Sequence, residues 1–85
     1  MKTFNYKITE DVGIHARPAG LLVKAAKECN AKITISFNGK SADATKLMAV
    51  MSLGVKCWDE VTVTVEGEDE EAAAAQMEKF FKENL

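Results

Sequence analysis

The sequence predicts an α+β fold, an open-faced sandwich in the order β-α-β-β-α-β-α with its helices on one side of the sheet. Three observations lead there. Every clear strand alternates apolar and polar residues, so each has one face to bury and one to leave wet. Stretches of helical period separate the strands. The chain has 85 residues, 47% of them hydrophobic, enough for one small core and no second domain.

The elements follow in order. From Lys2 to Thr9, Phe4, Tyr6 and Ile8 fall on one side and Thr3, Asn5, Lys7 and Thr9 on the other, which is a half-buried strand. Asp11-Val12-Gly13 breaks it. From Ala16 to about Glu28 the period is helical: Pro18, Leu22, Ala25, Ala26 and Cys29 cluster on one face. Arg17, Gly20, Leu21, Lys24, Lys27 and Glu28 occupy the other. Pro18 fits only a first turn, where its missing N–H is not needed, so the helix begins at or just after His15.

Ile33, Ile35 and Phe37 alternate through a second strand, and Asn38-Gly39 signals a hairpin because both residues tolerate positive φ. Lys40 to Asp43 is a short polar strand suited to a sheet edge. Leu47 to Leu53 reads as a short apolar helix stopped by Gly54. Val61, Val63 and Val65 mark the fourth strand. The acids Glu68 to Glu71 favour a helix start through the backbone dipole. That last helix presents Ala73, Ala74, Met77, Phe80, Phe81 and Leu85 on one side.

Composition excludes several classes. Net charge is -2, and seven of the thirteen acids lie between Asp59 and Glu71, which opposes a nucleic-acid surface. No apolar run reaches the ~18 residues of a membrane span, and the first residues form no export signal. A cytoplasmic protein without membrane insertion is expected. Two cysteines, Cys29 and Cys57, exclude a disulfide scaffold and any multi-cysteine metal site. Neither metal nor cofactor is expected.

The chain's one His, one Arg and one Pro lie together as His15, Arg17 and Pro18. A helix start exposes unpaired N–H groups and carries about half a positive charge. That location disfavours imidazolium, leaves a neutral nitrogen as nucleophile at pH 7, and receives an anion once one is attached. Arg17 can offer charge-assisted hydrogen bonds to phosphoryl oxygens. Nucleophile, anion-binding backbone and cation thus fall within three residues. The chemistry indicated is acceptance and surrender of a phosphoryl group, with partner proteins supplying the rest. The plainer reading of such a pair is a solvated loop and helix start.

Gly13-Ile14-His15-Ala16-Arg17-Pro18-Ala19 resembles the active-site signature of the HPr family, the histidine-containing phosphocarriers of the bacterial sugar phosphotransferase system. Lys46-Leu47-Met48-Ala49-Val50-Met51-Ser52-Leu53-Gly54 resembles the family's second signature, and the likeness spans essentially the full chain. It implies a four-stranded antiparallel sheet with three helices on one face. It also implies that His15 takes phosphate at its δ1 nitrogen from phosphorylated enzyme I and passes it to sugar-specific IIA domains. Ala16 and Arg17 would hold the phosphate, and the chain would be a carrier, not a self-contained enzyme. A monomer suits a shuttle that meets several partners.

A docking patch can be argued from the residues themselves. Leu47 to Met51 is apolar nearly all round, yet a helix on a sheet buries only part of its circumference, so some of Leu47, Met48 and Met51 should stay exposed. Gly20 and Leu21 share the outward face of the first helix with Arg17, Lys24 and Lys27. An apolar patch ringed by cations suits transient docking to acidic partners. The competing reading makes the methionines core filler.

The resemblance breaks at two places. Where related carriers have a regulatory serine opening the second helix, this chain has Lys46, which offers no hydroxyl and sits poorly at a helix N-terminus. Thr45 or Asp43 is then expected to cap the helix, and serine-dependent control through this position is expected to be absent. Stoichiometric labelling of Thr45 or Ser41 by a kinase would overturn that. Cys57-Trp58 stands where a Gly-containing turn is common; Trp58 reads as an exposed contact or as a lid over apolar neighbours, with the lid preferred and the sequence not deciding between them. Cys29 is expected to behave as a small hydrophobe and Cys57 to be the more accessible thiol. Two further readings are a regulatory paralogue that acts by protein binding, and a ferredoxin-like nucleic-acid or ligand module. The latter lacks the aromatic pairs and basic sheet face of RNA readers.

Overall fold

The computed structural model describes residues 1–9, 16–29 and 31–85, the Ala16 side chain excepted. The Asp11-Val12-Gly13 break and the Gly13-Ile14-His15 part of the first signature lie outside the described residues. The elements are β1 (Lys2–Lys7), α1 (Ala16–Glu28), β2 (Lys32–Phe37), β3 (Lys40–Asp43), α2 (Leu47–Met51), β4 (Glu60–Glu66) and α3 (Glu70–Asn84). Order and type match the sequence expectation; the ends differ. β1 stops at Lys7, because Ile8 and Thr9 leave the regular ladder for other backbone partners. α2 ends two residues before the expected Leu53, with Ser52 as its C-cap and Gly54 at φ 70 in the left-handed region. α3 starts at Glu70, keeping Glu70 and Glu71 in its first turn, where carboxylates complement the dipole.

The four strands form one antiparallel sheet in the order β1-β4-β2-β3. Asn38 and Gly39, at φ 52 and 81, turn β2 into β3 as a two-residue hairpin requires. β4 pairs on both sides, and its valines 61, 63 and 65 are all fully buried beside Ile33 and Ile35 of β2. On the other face the strands carry Asn5, Thr62, Ser36 and Ser41 in one cross-strand row. Thr62 donates to Asn5 Oδ1 at 2.8 Å, and the Ser36 and Ser41 hydroxyls are 3.1 Å apart. This face therefore satisfies itself with hydroxyl pairs and offers nothing apolar to cover.

The helices close the apolar face. α3 contributes Ala73, Met77 and Phe81, with Leu85 just beyond its end; Ala74 and Phe80 are only half-buried. Phe81 meets Phe4, Tyr6 and Phe80 edge to face, with centroids 5.9, 5.5 and 6.1 Å away. Burying such a ring contributes ~1.5–3 kcal/mol, and each good aromatic pair adds about 1 kcal/mol. From α1, Leu22 and Ala26 are buried as the period predicts, together with Ala19.

Candidate functional site

The topology decides where α1 begins. β1 and β2 both pair antiparallel with β4, so they run in the same direction. β1 finishes with Lys7 opposite Glu60, whereas β2 starts with Lys32 opposite Glu66. The chain must return from the Glu60 end of the sheet to the Glu66 end between them, and α1 makes that return. Its 13 residues span ~20 Å, about the length of a six-residue strand. Its first turn, with Arg17, therefore lies at the Glu60 end. α2 makes the opposite crossing, from β3, whose Asp43 faces Thr34, to the start of β4.

Several segments meet at this end. The Ile8 N–H donates to the Asp59 carbonyl at 2.8 Å, and the Trp58 N–H donates to the Ile8 carbonyl at 2.7 Å. Two residues of one strand thus oppose one of the other, which is a β-bulge. The Asp59 N–H closes a turn onto the Lys56 carbonyl at 3.0 Å, and Asp59 Oδ2 accepts the Lys56 N–H at 2.9 Å. The Thr9 N–H and its hydroxyl, the latter at 3.1 Å, both donate to the Leu85 carbonyl. The strand that leads toward His15 is thereby held against the β4 turn and the end of α3.

His15, the expected phosphoryl acceptor, lies outside the described residues, and of the Ala16 side chain nothing is described. Arg17 is exposed in the first turn of α1, while Pro18 and Ala19 are buried. Helix starts leave N–H groups without intrahelical partners, and α1 has no acid in its first turn to occupy them.

The expected docking residues lie mostly on the surface. Lys24 and Lys27 are exposed, Gly20 and Met51 are half-buried, and Leu21, Leu47 and Met48 are 45%, 39% and 76% exposed. α1 and α2 pack against each other, so these apolar side chains stand on adjoining helices beside the α1 cations. A Cβ on Gly20 would meet nothing within 4 Å. The glycine therefore opens the helix surface outward instead of making room for an internal neighbour.

Lys46 is the N-cap residue of α2, with φ -113 and ψ 103 and no side-chain capping bond. The expected cap by Thr45 or Asp43 is not made. Asp43 Oδ1 instead accepts the Thr45 N–H at 2.9 Å and the Thr45 hydroxyl at 2.6 Å. The Lys46 N–H closes this turn onto the Asp43 carbonyl at 3.0 Å. The carboxylate is spent before the helix because Asp43 lies three positions ahead of the cap residue and bonds Thr45 instead. The Thr45 hydroxyl and then its N–H hold the Asp43 carboxyl below its ordinary value, with Lys46 and Lys32 adding to the effect.

Trp58 corrects the sequence expectation. It is 68% exposed and no lid, because φ of 74 at this residue turns its side chain off the core. The unusual turn before β4 was the signal available in the sequence. The two thiols are both half-buried, so Cys57 is not set apart as the accessible one. Burial, and then the adjacent Glu28 carboxylate, push the Cys29 thiol up; its Sγ lies 3.4 Å from the Ala25 carbonyl. A thiol kept protonated is a poor nucleophile.

Comparison with known proteins agrees with the geometry. The family model described as PTS HPr component phosphorylation site matches residues 2–83. HPr-C-His from Thermoanaerobacter tengcongensis superposes with a TM-score of 0.93 at 33% identity, over 99% of this chain and 94% of that one. The histidine-containing phosphocarrier protein of a Mycoplasma gives 0.91 at 33% identity, over 96% and 93%. Crh of Bacillus subtilis, a catabolite-repression protein seen as a domain-swapped dimer, gives 0.78 at 31% identity, over 94% and 92%. The fold and the matched residues define a small carrier-type α+β domain, and the chain belongs to the HPr family of phosphotransferase-system phosphocarriers.

Proposed function

We propose that this chain, acting as one phosphocarrier domain over residues 1–85, accepts a phosphoryl group on Nδ1 of His15 from phosphorylated enzyme I and donates it to sugar-specific IIA domains. The observation that carries the reading is a family match over residues 2–83 joined to Arg17 exposed at the start of α1. On loading, the Nδ1–P bond forms as the donor's bond to phosphorus breaks; on unloading the same bond breaks toward the acceptor. Ala16, through its backbone, and Arg17 hold the phosphoryl oxygens, and the α1 dipole favours the added charge. The protein then supplies an acceptor and a docking surface, and each partner supplies the other half of the transfer site.

Gly20, Leu21, Lys24, Lys27, Leu47, Met48 and Met51 form the partner surface in this reading. Lys46 in place of a regulatory serine removes phosphorylation at that position. The Thr45 hydroxyl is bonded to Asp43, and the Ser41 hydroxyl lies within bonding distance of Ser36. The carrier works as a cytoplasmic monomer. No helix among the described residues is long and apolar enough to cross a membrane.

Incubation with phosphoenolpyruvate and enzyme I tests the proposal. Acid-labile phosphate should appear on the chain and vanish in His15→Ala. The match to Crh favours a second reading, a regulatory or specialised paralogue that works by protein binding. A chain that binds partners yet takes no phosphate from enzyme I would establish that reading and end the first.

A further inference from the structure

Lys46 stands where stability disfavours it. It is the N-cap residue of α2, where a short polar side chain would bond a free N–H, and it makes no such bond. A cation at a helix start also opposes the backbone dipole. Nothing else in the fold compensates: the side chain is exposed and forms no ion pair among the described residues. The Asp43 carboxyl feels the Lys46 charge, but it is half-buried and bonded twice to Thr45. A residue that breaks a local rule without a structural return is a candidate for function.

The topology decides what surrounds it. β3 ends at Asp43, opposite Thr34 near the start of β2, and the Ala44 N–H donates to the Ile33 carbonyl at 2.9 Å. Lys46 therefore lies at the Glu66 end of the sheet, where α1 finishes with Lys24 and Lys27. α1 and α2 pack against each other and run in opposite senses. Lys46 thus borders the exposed Leu47 and Met48 on the side away from Arg17. Arg17, Lys24, Lys27 and Lys46 surround one apolar patch, and the one acid in α1 is Glu28, its last residue. The acids that open α3 stand across α1 from Lys46, because α3 lies on β1 and β4 and α2 beside β3.

We propose that Lys46 is a specificity-determining docking residue, its ammonium pairing with a carboxylate on an acidic protein surface that covers Leu47 and Met48. The proposal rests on the carrier reading and deepens it, by adding a contact outside the patch legible in the sequence. Charge selects the occupant: cations around an apolar patch complement carboxylates, and a lysine at the rim repels a basic surface. With one histidine in the chain, donor and acceptor of the phosphoryl group approach the same side, so both meet Lys46.

The test separates docking from stability. Transfer from enzyme I to the chain, and from the phosphorylated chain to a IIA domain, is measured at low and high salt. The unaltered chain is compared with Lys46→Ser and Lys46→Arg, and thermal unfolding of each is followed in parallel. Lys46→Ser should keep or raise the melting temperature, since serine can supply the missing cap. It should raise KM about three-fold in both transfers at low salt, the scale of one exposed charge pair, and leave kcat unchanged. The difference should shrink as salt screens the pair. Lys46→Arg keeps the charge and should rescue KM. Unchanged KM at low salt in a folded Lys46→Ser, with His15 still labelled, overturns the docking role and leaves the carrier reading intact. A rise that salt does not diminish, a rise confined to one transfer, or a failure of Lys46→Arg to rescue overturns it as well. Absence of His15 labelling in the unaltered chain overturns both.

Discussion

Asp43 shows how much one side chain can do at a turn. Its carboxylate holds Thr45 twice, and the turn it closes delivers the chain to the start of α2. Asp43→Ala should cost about 1 kcal/mol in urea unfolding, the usual net contribution of a hydrogen bond of this kind. The pH dependence has a definite sign. The folded group titrates below its unfolded value, so its contribution is complete above the unfolded pKa of about 4 and disappears as pH falls through the folded one. Unfolding followed from pH 5 to pH 2 should show a steeper loss of stability in the unaltered chain than in Asp43→Ala. Parallel curves would show that the bond to Thr45 contributes nothing. The sequence named Asp43 as a capping candidate but not its target, because cap geometry depends on where the following helix begins.

At the scale of the element, α1 buries one face and exposes the other, which the proposed function assigns to partners. Leu22 and Ala26 are buried, while Arg17, Lys24 and Lys27 point outward. Gly20 is the anomaly, a poor helix former near the middle with open space where a Cβ would stand. Gly20→Ala should therefore stabilise the fold by about 1 kcal/mol, the helix-propensity difference. If partners approach the bare backbone there, the same variant should raise KM in phosphoryl transfer. A stabilised variant with unaltered transfer would reduce Gly20 to a defect of the helix. α2 poses the converse problem: five residues, no side-chain cap, and Leu47 and Met48 facing out. Its stability comes from Val50 in the core and from α1 beside it rather than from its own propensity.

Over the whole molecule, charge is sorted by the topology. β4 carries the chain away from the Arg17 end, so the acids from Glu66 to Glu71 collect at the opposite end of the sheet. A net charge of -2 thus hides the exposed cations Arg17, Lys24 and Lys27 on α1, which in the proposed function would steer an acidic partner. Lys24→Glu or Lys27→Glu should slow transfer at low salt, with the difference from the unaltered chain shrinking as ionic strength rises. Equal rates at low salt would remove these lysines from the docking surface. No single residue encodes this arrangement. It follows from β1 and β2 running the same way on either side of β4.

The alternation of Phe4 and Tyr6, of Ile33 and Ile35, and of the three β4 valines determined the strands and their one buried face, because a pleated chain puts every second side chain on the same side. The spacing from Pro18 to Ala26 determined α1 and its outward residues in the same way. Element ends, the target of Asp43, and the exposure of Trp58 were decided by tertiary structure. Each depends on a backbone partner remote in sequence or on a neighbouring element, such as the Ile8 carbonyl that takes the Trp58 N–H. Period survives in the sequence because it is local. Which group occupies a given carbonyl is settled only when two distant strands meet.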